Sequence, residues 1–437
     1  MISLAQARSE VFSAVGRLDP RALPLSEALG LVTSADLVAE ERVPPFANSA
    51  MDGYAVQAGD TEGASEALPI RLAVVGELPA GRAPTTTVAG GQAIRIMTGA
   101  PVPEGADAIV MVEHTVCDGD SVLVKKAAKV GDHVRPAGGD IEEGTLLFPA
   151  GTVLSAAHLG VAASLGYARL PVRPRARVGV LSTGDEVVAP GEPLTPGKIR
   201  DSNRPMLLAL LRESGCEPID LGIAPDDESA ITSAIERGLQ SCDALVTTGG
   251  VSVGDYDYVK IVLDRLGEMS WWQVAIKPAK PLAFGLVQGK PVFGLPGNPV
   301  SSHVSFELFA RPALLQMMGH TQCARPIVLA LAEQPMQRQV DGKVHFDRVR
   351  LRYRAGGYSV ARSGEQGSNV LSAMAAANGL AILPDGAGID AGQEVAVMML
   401  DSPPSAIGVL PAQVADLFTP PSHPGAIPVS VAPVRSL

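Results

Sequence analysis

Apolar positions recur at helical spacing in only a few stretches of this chain. Over residues 3–16, Ala7, Val11, Ala14 and Val15 fall on one side of a helix that Ser3 can cap. The spacing predicts a second helix over 26–40, stopped by Pro44-Pro45, and another over 155–165 that could return to pack on the first. Between them the pattern changes. Over 45–137, Gly, Pro and Thr punctuate short apolar runs at 72–75, 93–97 and 108–112, which predicts a β-rich module.

From Arg175 onward, apolar runs of strand length alternate with amphipathic stretches. Strands are expected at 177–181, 217–221, 244–246, 271–276, 282–287 and 291–295. Helices are expected at 203–214 (led by Asp201-Ser202), 228–238, 256–266 and 299–317. Strands alternating with helices predict a doubly wound, mostly parallel sheet. Residues 326–402 return to short alternating strands, such as 346–351, and predict a small β-barrel. Residues 411–437, rich in Pro, Ala, Ser and Val, read as a loosely ordered tail.

The fold class expected is therefore multi-domain α/β. A mixed helical linker domain spans 1–44 with 138–174, and the β-rich module spans 45–137. The α/β domain covers 175–325, a C-terminal barrel 326–410, and the tail 411–437.

Composition narrows the function. A length of 437 residues suggests about three or four domains. The 46% apolar content is enough for real cores. With 35 basic against 46 acidic residues, the net charge of −11 argues against a nucleic-acid or anionic-membrane partner, because both need a basic footprint. The four cysteines form no CxxC pair and read as thiols of a reducing compartment. The N-terminal stretch carries charges where a signal peptide needs an apolar run, and no run of about 18 apolar residues occurs, so the cytoplasm is expected.

Open α/β sheets bind ligands at the carboxyl ends of their strands. Three such ends here carry polar loops: Ser182-Thr183-Gly184-Asp185-Glu186, the stretch from Thr247 to Asp257, and the stretch from Gly294 to His303. In the second, Thr247, Thr248, Gly249, Gly250 and Ser252 offer hydroxyls and a backbone free of Cβ atoms, the chemistry of an anion nest. Asp255 and Asp257 follow and could hold a metal. In the third, Asn298 is a natural N-cap and Pro299 suits the first helical position. Each is also what a plain strand-to-helix turn looks like. Lys277-Pro278-Ala279-Lys280-Pro281 places two ammonium groups on a stiffened loop, suited to phosphate or another oxyanion. Together these features point to an enzyme acting on a phosphate-bearing ligand. The acids Asp52, Asp140, Asp185, Glu186, Asp226, Asp227, Asp255 and Asp257 would need Mg²⁺ between them and a phosphate.

Seven segments in order, NSAMDGYAV, IRIMTGAPVPEGADAIV, STGDE, GKIRDSNRPML, TTGGVSVGDYDY, IKPAKPLAFG and GLPGNPVSS, closely resemble the molybdopterin molybdenumtransferase family. The resemblance covers residues 3 to 400. It implies a homodimer whose cleft lies between the α/β domain of one subunit and the β-rich module of the other. It also implies insertion of molybdate into adenylylated molybdopterin, with Mg²⁺ and release of AMP. Molybdopterin adenylyltransferase and molybdoenzymes are implied as partners. By the same resemblance, Asp52, Thr98, Glu186, Asp226 and Asp257 match catalytic positions, with Glu186 and Asp257 as metal ligands. Thr248, Gly249, Gly250 and Ser252 match the pterin-phosphate loop, and Lys277 and Lys280 the anion loop. Pro296 and Pro299 shape the third turn, while Asp140 and Ser368 match two further positions. Two departures stand out. Gly139 replaces the Glu of a Gly-Glu-Asp segment, and Gln273 stands where some relatives carry Lys. A related nucleotide pyrophosphate hydrolase and a non-catalytic dimeric scaffold are the alternative readings.

Overall fold

The computed structural model describes residues 1–250, 258–354 and 357–401. The chain folds into two compact units, one made of residues 1–16, 176–316 and 322 onward, the other of 17–175 with 317–321.

In the first unit a six-stranded sheet has the order Glu217–Ala224, Arg177–Thr183, Ala244–Thr248, Lys290–Leu295, Pro281–Val287, Glu268–Gln273. The first four strands run parallel and the last two pair antiparallel, so the sheet is mostly parallel. Near-continuous apolar runs suit strands covered on both faces. Helices Glu228–Ser241 and Tyr258–Leu266 pack over a core containing Leu181, Ile235, Leu245, Val262 and Val287. The helix Asn203–Glu213 packs instead beside Pro299–Ser305.

The expected helix 299–317 carries a π turn, Phe306–Ala310, between α-helical segments Pro299–Ser305 and Arg311–Met317. The turn buries Glu307, whose carboxylate accepts two hydrogen bonds from Arg325, each at 2.9 Å. Arg325 also donates to the Leu400 carbonyl at 2.7 Å and so ties the end of the barrel to this helix.

One turn before Glu307, burial holds the His303 imidazole well below its usual value of 6.5, at about 4. An unfolded imidazole takes up a proton near 6.5, so the neutral ring contributes its full stability above that pH and loses it as the pH falls to about 4. His303→Gln is expected to flatten the pH dependence of unfolding across that window, by up to roughly 3 kcal/mol at its acid end. Urea unfolding at a series of pH values checks this.

The C-terminal part closes a five-stranded barrel. Val344–Arg354 pairs on one side with Gly357–Arg362 and on the other with Gly379–Leu383, and Ile327–Ala332 and Glu394–Met399 complete the ring. Val349, Leu351, Val360, Ala381 and Val397 fill its interior.

The N-terminal helix, Leu4–Ala14, is capped by Ser3 as expected, with Ala7 and Val11 fully buried. It packs in the first unit, against the strand Pro281–Val287 and the π turn. Arg8 donates to the Leu308 carbonyl at 2.7 Å, and Gln316 donates to the carbonyls of Phe12 and Val15. Residues 1–16 belong to the first unit, whereas 138–174, with the helix Ala156–Ser164, belong to the second.

The second unit holds a six-stranded sheet in the order Ala108–Met111, Gly53–Val56, Gln92–Ile96, Ile70–Leu78, Ser121–Val124, Thr115–Asp118. Tyr54, Leu72, Val110 and Val122 form a core on this sheet, and another core of the unit gathers Leu31, Leu37, Phe148, Leu154, Leu170 and Val172. The helix expected over 26–40 is absent. A 3₁₀ turn, Leu25–Glu27, is followed by strands Val32–Thr33 and Leu37–Val38. Gly30 takes φ +75 and breaks any helix. The β-branched pair Val32-Thr33 then pairs with Val172 and Arg173.

Candidate functional site

The carboxyl ends of the strands Arg177–Thr183, Ala244–Thr248 and Lys290–Leu295 enclose a cavity of about 100 Å³. Thr183, Glu186, Asn203, Thr248, Gly249 and Pro299 are among the residues that line it. Gly249 and Gly250 take φ +93 and +67, the left-handed region that favours glycine. A Cβ on Gly249 would lie 2.9 Å from the Thr183 carbonyl oxygen, so the turn requires glycine on steric grounds as well. The Gly249 N–H donates to the Leu295 carbonyl at 3.2 Å. Of the expected nest, the Gly249 N–H locks two strand ends together and is not turned to a ligand. Thr247 is fully buried in its strand and does not line the cavity.

Asn203 shapes this turn, and the sequence pattern did not single it out. Its Nδ2 donates to Thr248 Oγ1 and to the Gly297 carbonyl, both at 2.7 Å. A carbonyl only accepts, so Gly297 fixes which end of the amide faces it. Asn298 makes no side-chain capping bond, contrary to its expected role, whereas Pro299 does open the helix. Pro296 contributes its carbonyl, to which the Thr248 hydroxyl points at 3.4 Å.

The acids separate. Glu186 lines the cavity, its carboxylate folded over Gly184. Asp226 does not line it; Asp226 and Asp185 each accept a hydrogen bond from the other's backbone N–H, at 3.2 and 3.1 Å. Asp227 caps the helix Glu228–Ser241 by accepting from Ala230 N–H at 2.8 Å. Ser252, Asp255 and Asp257 lie outside the described residues.

A second, larger cavity of about 600 Å³ lies in the same unit. Lys277, Lys280, Lys343, Ser301, Gln366 and Ser368 stand in its wall, and no carboxylate does among the described residues. The ammonium groups of Lys277 and Lys280 carry no ion pair within the described residues, so they are available to an anion. Ala279 takes φ +76, which costs a non-glycine residue about 1 kcal/mol. It turns the loop so that Val274 N–H donates to the Lys280 carbonyl at 2.7 Å. Residues Ile276 and Lys277 pair in parallel with Val344 and His345 of the barrel. Ser368 reaches this wall because its carbonyl accepts from Val300 N–H, in the first turn of the helix that opens at Pro299. The loop before it hangs on Arg348, which is fully buried and donates to the carbonyls of Glu365 and Gly367 at 3.0 and 2.9 Å. Burial lowers the Arg348 pKa, and its Nε has no hydrogen-bond partner among the described residues. Arg348 and Ser301 were not legible as site residues; an arginine inside a strand that is buried on both sides of the alternation leaves no periodic signal.

In the second unit, Asp52 Oδ1 accepts from both the backbone N–H and the hydroxyl of Thr98, each at 2.7 Å. These bonds hold the Asp52 carboxyl below the usual carboxylate range. Asp140 sits in a turn after Gly138, which takes φ +71, and its N–H donates to the Val43 carbonyl at 3.0 Å.

Molybdopterin molybdenumtransferase 2 of Mycobacterium tuberculosis is 43% identical to this chain over 376 residues, covering 84% of this chain and 91% of that protein. The chain belongs to the molybdopterin molybdenumtransferase family. The family models match in succession: the MoeA N-terminal region (domain I and II) at residues 2–166, the probable molybdopterin binding domain at 179–316, and the MoeA C-terminal region (domain IV) at 338–400. The Haemophilus influenzae molybdopterin molybdenumtransferase is 36% identical, with 91% of this chain and 98% of that protein covered. Two crystal structures of the MoeA protein of Pyrococcus horikoshii superpose with TM-scores of 0.78 and 0.74, at 32% and 31% identity, covering 92% and 91% of this chain and all of each. This member of the molybdenumtransferase family is thus a transferase of molybdenum cofactor biosynthesis. No helix among its described residues is long and apolar enough to cross a membrane.

Proposed function

We propose that this chain inserts molybdate into adenylylated molybdopterin, releasing AMP and the molybdenum cofactor. The observation that carries this reading is the cavity that, among the described residues, holds Lys277 and Lys280 and no carboxylate. It is tied, through the bond from Val300 N–H to the Ser368 carbonyl, to the helix whose first residue, Pro299, lines the strand-end cavity. The larger cavity suits an oxyanion, and the smaller has room for a phosphate group. Fixed cations aimed at an oxyanion need no reorganisation when it arrives.

Mg²⁺ fits the donor chemistry of the smaller cavity. The Glu186 carboxylate and the hydroxyls of Ser182, Thr183 and Thr248 are hard oxygens, and no thiol or imidazole joins them among the described residues. Among those residues no group of three or more His, Cys, Asp or Glu gathers around one point. Glu186 would hold the ion together with Asp257. When bound, it supplies positive charge to phosphate oxygens. The chain's own groups do the rest: Thr248 and Gly249 wall the space for the phosphate end, Lys277 and Lys280 hold molybdate, and Glu186 orients the water that cleaves the adenylyl pyrophosphate. We place Asp52 and Thr98 in the same cleft, contributed by a second copy in a cytoplasmic homodimer.

Purified protein incubated with adenylylated molybdopterin, Mg²⁺ and molybdate is expected to release AMP and form active cofactor. Absence of both defeats the reading, and turnover of ADP-ribose without molybdate would favour a pyrophosphate hydrolase. Thr98→Val removes one of the two bonds on Asp52 and is expected to move the acid limb of the pH–rate profile upward. An unmoved limb would disconnect Asp52 from turnover.

A further inference from the structure

The barrel carries a row of apolar side chains on its outer surface. In the strand Ile327–Ala332, Ala330 and Ala332 belong to the interior core and Val328 packs against it. The alternation turns Ile327, Leu329 and Leu331 outward, where they are 56%, 61% and 51% exposed. Single exposed apolar residues are ordinary, but three at every second position of one strand form a stripe about 13 Å long. Half-buried Ala396 widens it beside Leu329, and Glu394 and Ser359 bound it beside Leu331. An apolar patch with a polar rim marks a contact surface. The strand is already paired on both sides, so an occupant would meet side chains rather than free backbone.

The rest of the chain leaves the barrel at one end of this stripe. The last strand, Glu394–Met399, runs antiparallel to it with Met398 opposite Ile327. Met399 N–H donates to the Pro326 carbonyl and Leu400 N–H to the Asn378 carbonyl, both at 2.9 Å, and Arg325 holds the Leu400 carbonyl. The chain is thus pinned beside Ile327 as far as Leu400. The match to the MoeA C-terminal region also ends at residue 400, and residues 402–437 lie outside the described residues. In sequence, 402–418 holds Ile407, Val409, Leu410, Val414, Leu417 and Phe418, with Asp416 as its one charge. Ile407 and Val409 repeat the two-residue spacing of the stripe. Pro403, Pro404 and Pro411 carry no N–H, which leaves fewer backbone donors to satisfy on a surface that offers none a partner. The stretch from Asp401 to Ile407 reaches up to about 20 Å when extended, more than the length of the stripe.

We propose that the chain's own segment 407–418 covers the stripe of Ile327, Leu329 and Leu331, side chain against side chain. The inference is independent of the reading of either cavity. A tether this short holds the segment at an effective concentration of roughly millimolar, so an apolar contact too small to retain a separate partner is still occupied. The near absence of charge in 402–418 fits an apolar surface, because a buried charge there would have no counter-ion.

The test is hydroxyl-radical footprinting of the full chain, read residue by residue by mass spectrometry. Leu68, in the second unit, is 69% exposed and serves as the reference for Leu329. Leu329 is expected to be modified at least about threefold more slowly than Leu68, because a covering segment removes it from water. The full-length triple variant Ile407→Ser, Val409→Ser, Leu410→Ser is expected to raise modification of Ile327, Leu329 and Leu331 by about threefold and leave Leu68 unchanged. In the reverse direction, Leu329→Asp is expected to raise modification of Leu410 and Phe418. Equal rates at Leu329 and Leu68 in the wild type would show an uncovered stripe and overturn the proposal. So would a triple variant with wild-type rates along the stripe, or a Leu329→Asp variant that leaves Leu410 and Phe418 unchanged. Protection that disappears on about tenfold dilution would assign the stripe to a second copy of the chain instead, since an intramolecular contact does not depend on concentration.

Discussion

Glu186→Gln is expected to lower AMP release and cofactor formation by at least ~10²-fold while leaving the fold intact. The carboxylate stands in the wall of the strand-end cavity with Thr183, Thr248 and Gly249. The neighbouring acids are engaged elsewhere: Asp185 and Asp226 bind each other's backbone, Asp227 caps a helix, and Asp201 accepts from Ser182 and Arg204. Glu186 is thus the carboxylate of the described cavity that is free for a phosphate-bound cation or a water. Glutamine keeps the size and removes the charge, so the loss reports on chemistry and not on packing. The backbone of Glu186 is secured independently, by the bond from Ile199 N–H to its carbonyl at 2.8 Å. The measurement is single-turnover AMP release with the unfolding midpoint recorded alongside. Wild-type rates in the variant would remove Glu186 from the reaction.

The largest stability effect is expected from Glu307→Ala, at about 3–5 kcal/mol. The Glu307 side chain has no exposed surface and meets Arg325 through two bonds, with Arg311 at 3.9 Å. Removing the carboxylate leaves two largely buried guanidinium groups without a counter-charge, which costs far more than the lost pair contributed. It also frees Arg325 from the geometry in which it holds the Leu400 carbonyl, so the barrel end should loosen. The double variant Glu307→Met with Arg325→Met is expected to recover much of the loss, because an apolar pair of similar size leaves only Arg311 uncompensated. Urea unfolding of the two single variants and the double variant measures the coupling. A loss below about 1 kcal/mol for Glu307→Ala would show that water reaches the arginines.

How much of this was legible beforehand varies by element. The N-terminal helix with its Ser3 cap, the alternation that builds the mostly parallel sheet, and the barrel were all written in local pattern. The stretch at 26–40 was not, because its apolar spacing suits a helix while Gly30 and the Val32-Thr33 pair answer to strand partners at 172–173, far along the chain. Lys277, Lys280, Glu186 and Thr248 could be named from residue type and position after a strand. Asn203, Ser301, Lys343 and Arg348 could not, because each acts through a partner distant in sequence.

The sequence by itself determined which chemistry was present: hydroxyls and glycines after buried strands, lysines on a proline-stiffened loop, and acids in excess. Backbone propensity and side-chain type are local properties, and local order carries them. The tertiary structure decided which of these groups remain available. It closed the Gly249 N–H onto Leu295, paired Asp185 with Asp226, left Lys277 and Lys280 without counter-ions among the described residues, and set Lys343 beside them from another part of the chain. Availability depends on what each donor and acceptor already meets, and hydrogen bonds and ion pairs between distant segments are settled only when the strands are in register.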